Sequence, residues 1–213
     1  MFDQVSYIQH LTKELNNLPG ESAHLDMLPF RKASSQALKM AKDYRLSAVL
    51  LLLHERDGQP HFVLTQRNQY KGKHSGQISF PGGKIEPQDP STHHTALRET
   101  HEEIGIHPRE VNVMGLLTQV YIPVSNFLIH PYIGFSPESI SPQPDPREVS
   151  KIIHCSTSAL MDESNRIKTR IQLDNGVTIK DVPAFDFEGH IVWGATAIIL
   201  NEFKELLKRL PAV

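Results

Sequence analysis

Apolar residues recur at three- and four-residue spacing near the start of the chain, which predicts an amphipathic helix. Pro19-Gly20 ends the pattern, and the following segment predicts only a short helix around Ser35 to Lys42. Neither segment carries a chemical motif. We therefore interpret residues 1–44 as an N-terminal helix and connecting segment, followed by one larger domain over residues 45–213 that includes the C-terminal helix.

Strand patterns dominate the first part of that domain. Ser47 to His54 is a continuous apolar run typical of a buried strand, and His61 to Thr65 returns after an Asp57-Gly58 turn, which predicts a hairpin. Three later elements are also predicted: strands from Val111 to Val120 and from Leu128 to Phe135, and a hairpin from Ile171 to Ile179 around Asp174-Asn175-Gly176.

A helix is predicted from Pro90 to Ile104, after a polar, glycine-bearing segment from Arg67 to Lys84. Asp89 before Pro90 is typical of a helix N-cap, and Gly105 is typical of a helix end. Two further elements are a proline-rich loop from Ser136 to Pro146 and an amphipathic helix from Ala195 to Leu210. Strands alternating with a few helices predict a mixed α/β architecture.

The helix over residues 90–104 has two faces of different chemistry. One face holds Leu97, Thr100 and Ile104, and the other, roughly 140° away at 100° per residue, holds Glu99, Glu102 and Glu103. Clustered carboxylates repel one another, and near the end of a helix they also oppose its dipole. A divalent cation removes both penalties, so the cluster favours a Mg²⁺ or Mn²⁺ site over a merely solvated surface.

Cationic and glycine residues precede the acidic helix. Gly82 and Gly83 allow a tight turn and the close approach of a backbone carbonyl to a ligand. Between Asp57 and Glu86 the sequence has no acidic residue. The basic residues in this interval are Arg67, Lys71, Lys73 and Lys84. Because metal-bridged polyphosphate needs both signs of charge nearby, this arrangement predicts a phosphate site beside the metal site.

Composition restricts the class of protein. A formal net charge of -2 provides no polycationic field, so nonspecific nucleic-acid binding is not expected. The longest apolar run, Ala48 to Leu53, is far shorter than the ~20 residues of a membrane span. Cys155 is the only cysteine, which excludes an intrachain disulfide. With no secretory signal pattern at the N-terminus, the expected location is cytoplasmic.

The segment from Gly83 to Ile106 resembles the Nudix signature, GX5EX7REUXEEXGU, in which U is aliphatic. Residues 98–106, RETHEEIGI, match its second half. Three departures occur: Asp89 stands where the signature has glutamate, eight residues instead of seven separate it from Arg98, and Thr100 replaces an aliphatic residue. All three glutamates of the second half are retained.

The longer spacing is similar to that of the coenzyme A pyrophosphatase branch of the Nudix family. That branch carries an upstream motif, LLTXR(S/A)X3RX3GX3FPGG, and this chain matches it at Leu64, Thr65, Arg67, Gly76, Phe80, Pro81, Gly82 and Gly83. Asn68 and Gly72 depart from it, and Gly72 replaces the second arginine between Lys71 and Lys73. Altogether the resemblance covers about residues 45–200.

The resemblance implies an αβα-sandwich Nudix fold with a mixed β-sheet, and a role for each matched residue. Glu99, Glu102 and Glu103 become metal ligands, with Glu99 or Glu103 as the base that activates water. Gly82 lends its carbonyl to the metal, and Arg98 orients the carboxylates. The predicted substrate-binding residues are Arg67, Lys71, Lys73, Gly83 and Lys84. Glu148, after the proline-rich loop, is a further candidate ligand or base.

The activity that the resemblance implies is metal-dependent hydrolysis of a phosphoanhydride. The branch indicates coenzyme A or an acyl-CoA as substrate, giving 3',5'-ADP and (acyl-)4'-phosphopantetheine. Gly72 leaves open a pyrophosphatase for ADP-ribose, dinucleotides or nucleoside triphosphates. A non-catalytic nucleotide-binding Nudix module is the alternative from another class, although it has no need of three intact carboxylates. The family likeness also makes a homodimer an expectation.

Overall fold

The computed structural model describes residues 3–28, 32–69, 76–172 and 176–211. Its helices are α1 (Gln4–Glu14), α2 (Glu21–Leu25), α3 (Ser34–Leu38), α4 (Thr92–Ile104), α5 (Thr157–Met161) and α6 (Gly194–Leu207). Its strands are β1 (Arg45–Arg56), β2 (Gln59–Arg67), β3 (Ile78–Ser79), β4 (Gly82–Lys84), β5 (Asn112–Leu116), β6 (Val120–Ile122), β7 (Phe127–Ser136), β8 (Val149–Ser156), β9 (Arg166–Gln172), β10 (Thr178–Phe187) and β11 (His190–Trp193). The predicted substrate-binding residues Lys71 and Lys73 lie outside the described residues.

In the described part of the chain, eight strands form a mixed sheet around β1. Strand β1 pairs in parallel with β7 and antiparallel with β2 and β4, and β8 continues the sheet beyond β2. Leu50 to Leu53 in β1 have no exposed surface, as expected for a strand with a layer packed on each face. Strands β9, β10 and β11 form a separate antiparallel sheet.

Alternation along β1 divides the hydrophobic core into two clusters. Leu50 and Leu52 pack with Ala96 and Ile104 of α4. The intervening Leu51 and Leu53 belong to the larger cluster, which contains residues of α1 and α6. Since successive strand residues point to opposite faces, the sheet lies between two helical layers. The predicted αβα sandwich with a mixed sheet is confirmed.

A buried carboxylate joins the N-terminal segment to α6. Glu202 accepts hydrogen bonds from His24 Nε2 (3.1 Å), the Gly20 amide (3.1 Å) and the Thr118 hydroxyl (2.6 Å). The neighbouring Asn201 donates to the Ala23 carbonyl (2.6 Å). These bonds fix the segment that follows α1 against the core, while the domain boundary at residue 45 stays a prediction.

Helix α4 begins later than predicted. Ser91 is its N-cap, and the Ser91 hydroxyl accepts from the His94 amide, whereas the prediction gave that role to Asp89. The prediction was wrong because Asp89 is engaged with a side chain farther along the same helix. The predicted helix end is confirmed, since Gly105 adopts the left-handed conformation (φ 74°) that favours glycine.

Other differences reflect pairing that is not local in sequence. The strand predicted from Val111 to Val120 is two strands, β5 and β6, and both pair with β7. Strand β8, which pairs with β2, was not predicted. The second hairpin is confirmed by the pairing of Ile171 with Ile179, although Asp174 and Asn175 of its turn lie outside the described residues. Within the described ranges, none of the helices has the length and apolar character needed to cross a membrane.

Candidate active site

Two glycines bring β4 into close contact with its neighbours. Gly82 has a φ of 152°, and a Cβ there would lie 2.6 Å from the Val49 Cα and closer still to the Ala48 carbonyl oxygen. At Gly83 a Cβ would occupy the space of the Glu99 carboxylate. Because both spaces are already filled, only glycine lets β4 pair with β1 while Glu99 lies directly over the strand.

Arg98 connects the acidic side chains of this region. Its guanidinium forms two 2.9 Å hydrogen bonds to Asp89 and contacts Glu99 (2.9 Å) and Glu102 (2.8 Å). It also donates to the Lys84 carbonyl (3.3 Å). Arg98 therefore lies where a residue that orients carboxylates must lie, and its predicted role is compatible with these contacts.

Asp89 anchors the guanidinium of Arg98. The Asp89 carboxylate also accepts from the Thr95 hydroxyl and the Glu86 amide, both at 2.9 Å. Its side chain is only 4% exposed, and the Arg98 hydrogen bonds hold the pKa of Asp89 well below its usual value. Asp89 thus joins Arg98 although it is shorter than the glutamate of the signature.

We expect Asp89→Asn to lower the free energy of unfolding by about 2 kcal/mol at pH 7, because charge-assisted hydrogen bonds to Arg98 are lost. A depressed carboxyl pKa stabilises the fold above the unfolded pKa, so the difference from wild type should shrink as the pH falls below about 4. Urea unfolding of variant and wild type at pH 7 and at a pH below about 4 measures the difference in the free energy of unfolding. Asp145→Asn is the matched control, since Asp145 pairs with the exposed Arg147 and should lose much less stability. Equal losses for the two variants would contradict the anchoring role.

Glu103 is buried despite its charge. Its Oε1 lies 3.8 Å from Arg67 Nη1, and its Oε2 is buried without a hydrogen-bond partner among the described residues. Burial raises the pKa of Glu103 to about 8, an effect opposed by Arg67 and by the Gly82 amide and increased by nearby Glu99. A buried oxygen without a partner costs free energy, and a cation bound there would offset that cost.

The other two glutamates are more exposed than Glu103. The side chain of Glu102 is 55% exposed and that of Glu99 14% exposed. Burial raises the pKa of Glu99, and Arg98 acts in the opposite direction. Over the described ranges, no three histidine, cysteine, aspartate or glutamate side chains already converge into a metal cage. The metal-ligand roles of the three glutamates therefore stay predictions, supported by the unpartnered oxygen of Glu103.

The proline-rich loop brings Glu148 to the same region. The amides of Gln143 and Asp145 donate to the carbonyls of Ile104 and Glu103 at the end of α4, both at 2.9 Å. After this contact the chain turns, and the exposed carboxylate of Glu148 lies close enough to raise the pKa values of Glu99 and Glu103. The loop therefore adds an acidic group to the site from outside the signature segment.

The NUDIX domain sequence model matches residues 43–172, which is more than half of the chain. The chain belongs to the Nudix family. Human mitochondrial coenzyme A diphosphatase NUDT8 is 36% identical over 163 residues, covering 76% of this chain and 69% of the relative. The uncharacterized Nudix hydrolase NudL of Enterobacter sp. (strain 638) is 34% identical over 170 residues, covering 77% and 85%.

Solved structures of other Nudix proteins share the fold at low sequence identity. A MutT/nudix family protein from Enterococcus faecalis has a TM-score of 0.55 at 15% identity, covering 90% of this chain and 76% of that protein. The Nudix hydrolase RenU from M. smegmatis has a TM-score of 0.53 at 15% identity, covering 80% and 89%. Both support the fold assignment alone.

In this Nudix hydrolase the signature forms the turn from β4 into α4, and most of the predicted site residues meet there. Arg67 at the end of β2 faces Glu103, whereas Lys84 is exposed on β4. Asp89 is the partner of Arg98, a role that the sequence pattern, typical of a helix N-cap, does not indicate. Its position in place of the signature glutamate was the signal that indicated a site role.

Proposed function

We propose that this Nudix hydrolase cleaves the diphosphate of coenzyme A or an acyl-CoA, producing 3',5'-ADP and (acyl-)4'-phosphopantetheine. The observation that carries the hydrolytic part is the buried Glu103, with one unpartnered oxygen and with Glu99 and Glu148 nearby. The choice of substrate rests on the upstream motif and on the relative named as a coenzyme A diphosphatase.

The residues that would hold Mg²⁺ or Mn²⁺ are Glu99, Glu102, Glu103 and the carbonyl of Gly82. Carboxylate and carbonyl oxygens are the ligands these hard cations prefer. When bound, the cation supplies charge neutralisation for the diphosphate and acidifies a bound water. The unpartnered Glu103 oxygen, and the carboxylates whose pKa values burial raises, fit this group.

The remaining side chains divide between orientation and substrate binding in this proposal. Arg98 keeps Glu99 and Glu102 in place through its bonds to both, with Asp89 as its anchor. One of two glutamates, Glu99 or Glu103, takes the proton from the attacking water. Arg67, Lys71, Lys73, Gly83 and Lys84 contact the substrate phosphates.

A substrate panel tests the activity and the specificity together. Coenzyme A, acetyl-CoA, ADP-ribose, a dinucleoside polyphosphate and ATP are incubated with enzyme and Mg²⁺ or Mn²⁺, and products are separated by chromatography. We expect kcat/KM for coenzyme A to exceed that for ADP-ribose by at least about tenfold, because a matched polar site rejects an analogue that leaves its groups unpaired. Equal or faster turnover of ADP-ribose would contradict the assignment of coenzyme A as substrate. It would favour the alternative that Gly72 leaves open, a pyrophosphatase for ADP-ribose, dinucleotides or nucleoside triphosphates.

The metal site has its own test in the same assay. We expect Glu102→Gln to raise the Mg²⁺ concentration for half-maximal activity about tenfold, because one anionic ligand is lost. The matched control is Glu205→Gln, since Glu205 of α6 pairs with Lys208 just beyond the end of that helix. Absence of product with any metal, together with unchanged nucleotide binding by Glu102→Gln, would support the non-catalytic module instead.

Two other parts of the proposal rest on sequence and family likeness. A cytoplasmic location agrees with the single buried Cys155, which forms no disulfide. A homodimer is proposed from the family likeness, and sedimentation equilibrium measures it.

A further inference from the structure

Three histidines lie on one face of the main sheet, away from the glutamates of α4. His54 of β1 is paired across the ladder with His61 of β2, and His154 of β8 is paired with Val63 of β2. Residues paired across neighbouring strands share a face, and His61 and Val63 are two positions apart on β2. The three imidazoles are therefore on the face that α4 covers farther along the sheet.

Two of these imidazoles direct nitrogen atoms at each other. His54 Nε2 and His154 Nδ1 are 3.0 Å apart. The other nitrogen of His54, Nδ1, lies 3.1 Å from the Glu55 carbonyl oxygen, which only accepts, so that nitrogen carries the proton. Neutral His54 therefore presents the lone pair of Nε2 toward His154. His61 has the same arrangement, because its Nδ1 donates to the Gln59 carbonyl (3.1 Å).

The pair opens onto a cavity of about 590 Å³. The proline-rich loop from Pro137 to Gln143, with Glu138 and two serines, forms one wall. Glu55, Arg56 and Asp57 also line the space. The amide of Gln143 bonds to the end of α4, and the residues that line the cavity include none of the predicted catalytic or metal-binding residues. The cavity has room for water molecules as well as for an ion.

We propose that His54 Nε2 and His154 Nδ1 bind a divalent transition-metal ion of the Zn²⁺ type, with water and oxygen atoms of the cavity wall as its other ligands. Imidazole suits this borderline class, whereas Mg²⁺ prefers the carboxylates of the catalytic region. The carbonyl bonded to His54 Nδ1 orients the ring, as carbonyls next to metal-binding histidines commonly do.

Binding requires one rearrangement of protons. The ion lies beside the line that joins the two nitrogens, and the rings move slightly apart, because Zn–N bonds of about 2.0–2.1 Å at a tetrahedral angle need these nitrogens roughly 3.4 Å from each other. The proton between the rings leaves His154 Nδ1 for water, while Nε2 of the same ring gains one from water. The ring stays neutral and no net proton is released. Burial lowers the pKa of His54, and burial together with His54 and Arg56 lowers the pKa of His154 to about 4. Protons therefore do not compete with a metal ion at neutral pH.

Calorimetric titration of the protein with ZnCl₂, in the presence of excess Mg²⁺ that occupies the carboxylate site of α4, tests the proposal. We expect one Zn²⁺ per chain to bind at this pair, and His54→Gln or His154→Gln to weaken binding at least about tenfold. The matched control is His10→Gln, an exposed histidine of α1, which should bind like wild type. In Glu102→Gln the Zn²⁺ affinity of the histidine pair should stay that of wild type, and this separates the proposal from the catalytic metal.

Two results would overturn the proposal: Zn²⁺ affinity unchanged in both histidine variants, or lost only in Glu102→Gln. Because His54 is buried, its variant can fail to fold, so the wild-type protein needs a test of its own. In ¹⁵N-labelled wild type, Zn²⁺ should shift the resonances of His54 Nε2 and His154 Nδ1. If both resonances stay unchanged in the presence of excess Zn²⁺, the pair is only a hydrogen bond and the proposal fails.

Discussion

Replacing Glu103 with glutamine is expected to reduce kcat for diphosphate hydrolysis about 10²- to 10⁴-fold, the range for loss of a general base. Glutamine keeps the size of the side chain but removes the charge that a metal ligand or a proton acceptor needs. Of the three glutamates of α4, only Glu103 has a buried side-chain oxygen without a hydrogen-bond partner among the described residues, so we expect its substitution to have the largest effect. Steady-state kinetics at saturating substrate and Mg²⁺ measure the loss.

The same variant should be more stable than wild type in metal-free buffer at high pH. The carboxyl pKa is about 8 in the folded protein and about 4.3 in the unfolded chain, so wild type loses stability as the pH rises between these values. Glutamine does not titrate and escapes this loss. Urea unfolding of both proteins at pH 5 and pH 9 should therefore show a difference that grows with pH in favour of the variant.

A second buried glutamate provides the control. Burial alone would favour protonated Glu202, but hydrogen bonds from His24 and Thr118 hold the pKa of Glu202 below its usual value. We therefore expect Glu202→Gln to lose stability at neutral pH and to keep its kcat. Two results would contradict the prediction that the charge of Glu103 is buried because hydrolysis needs it. One is a wild-type kcat in Glu103→Gln, and the other is an equal effect of the two substitutions on stability.

The site of Glu103 shows which structural features the sequence could predict and which it could not. Local patterns indicated the Nudix turn and helix, because Gly105 and the charge pattern of α4 are short-range signals. They also placed Glu103 on the anionic face of the helix, away from the packing residues, whereas Glu103 is buried. Glu103 follows Ala96 by seven residues and so lies roughly 20° from it around the helix, near the packing face. That spacing could have indicated burial beforehand.

Other features depend on contacts between distant segments. The pairing of β8 with β2 joins residues about 90 positions apart, and β8 has no strict alternation of polar and apolar positions to reveal it. The close approach of Glu148 to Glu99 depends on how the proline-rich loop bonds to the end of α4. Turn residues and helix periodicity predict neither of these two approaches, because distant segments meet only when the layers of the fold pack together.

Gly83→Ala should lower kcat/KM about 10²-fold while the protein stays folded, because small displacements of catalytic groups have effects of that size. The backbone of Gly83 lies outside the left-handed region, so alanine fits its conformation. The added Cβ would instead displace the Glu99 carboxylate, which is the far end of a flexible side chain. Movement of Glu99 relieves the contact at little cost in stability, but the carboxylate leaves its position beside Arg98.

The control for this substitution is Gly115→Ala, whose Cβ would meet a flexible side-chain end 3.1 Å away, Leu15 Cδ1, away from the site. Both variants should melt near the wild-type temperature, and only Gly83→Ala should lose activity. Gly82→Ala should behave differently from both, because its Cβ would press against the backbone of β1, which cannot move aside. Wild-type kcat/KM in Gly83→Ala would mean that the position of Glu99 over β4 is irrelevant to hydrolysis, and Glu103 would then have to act without it.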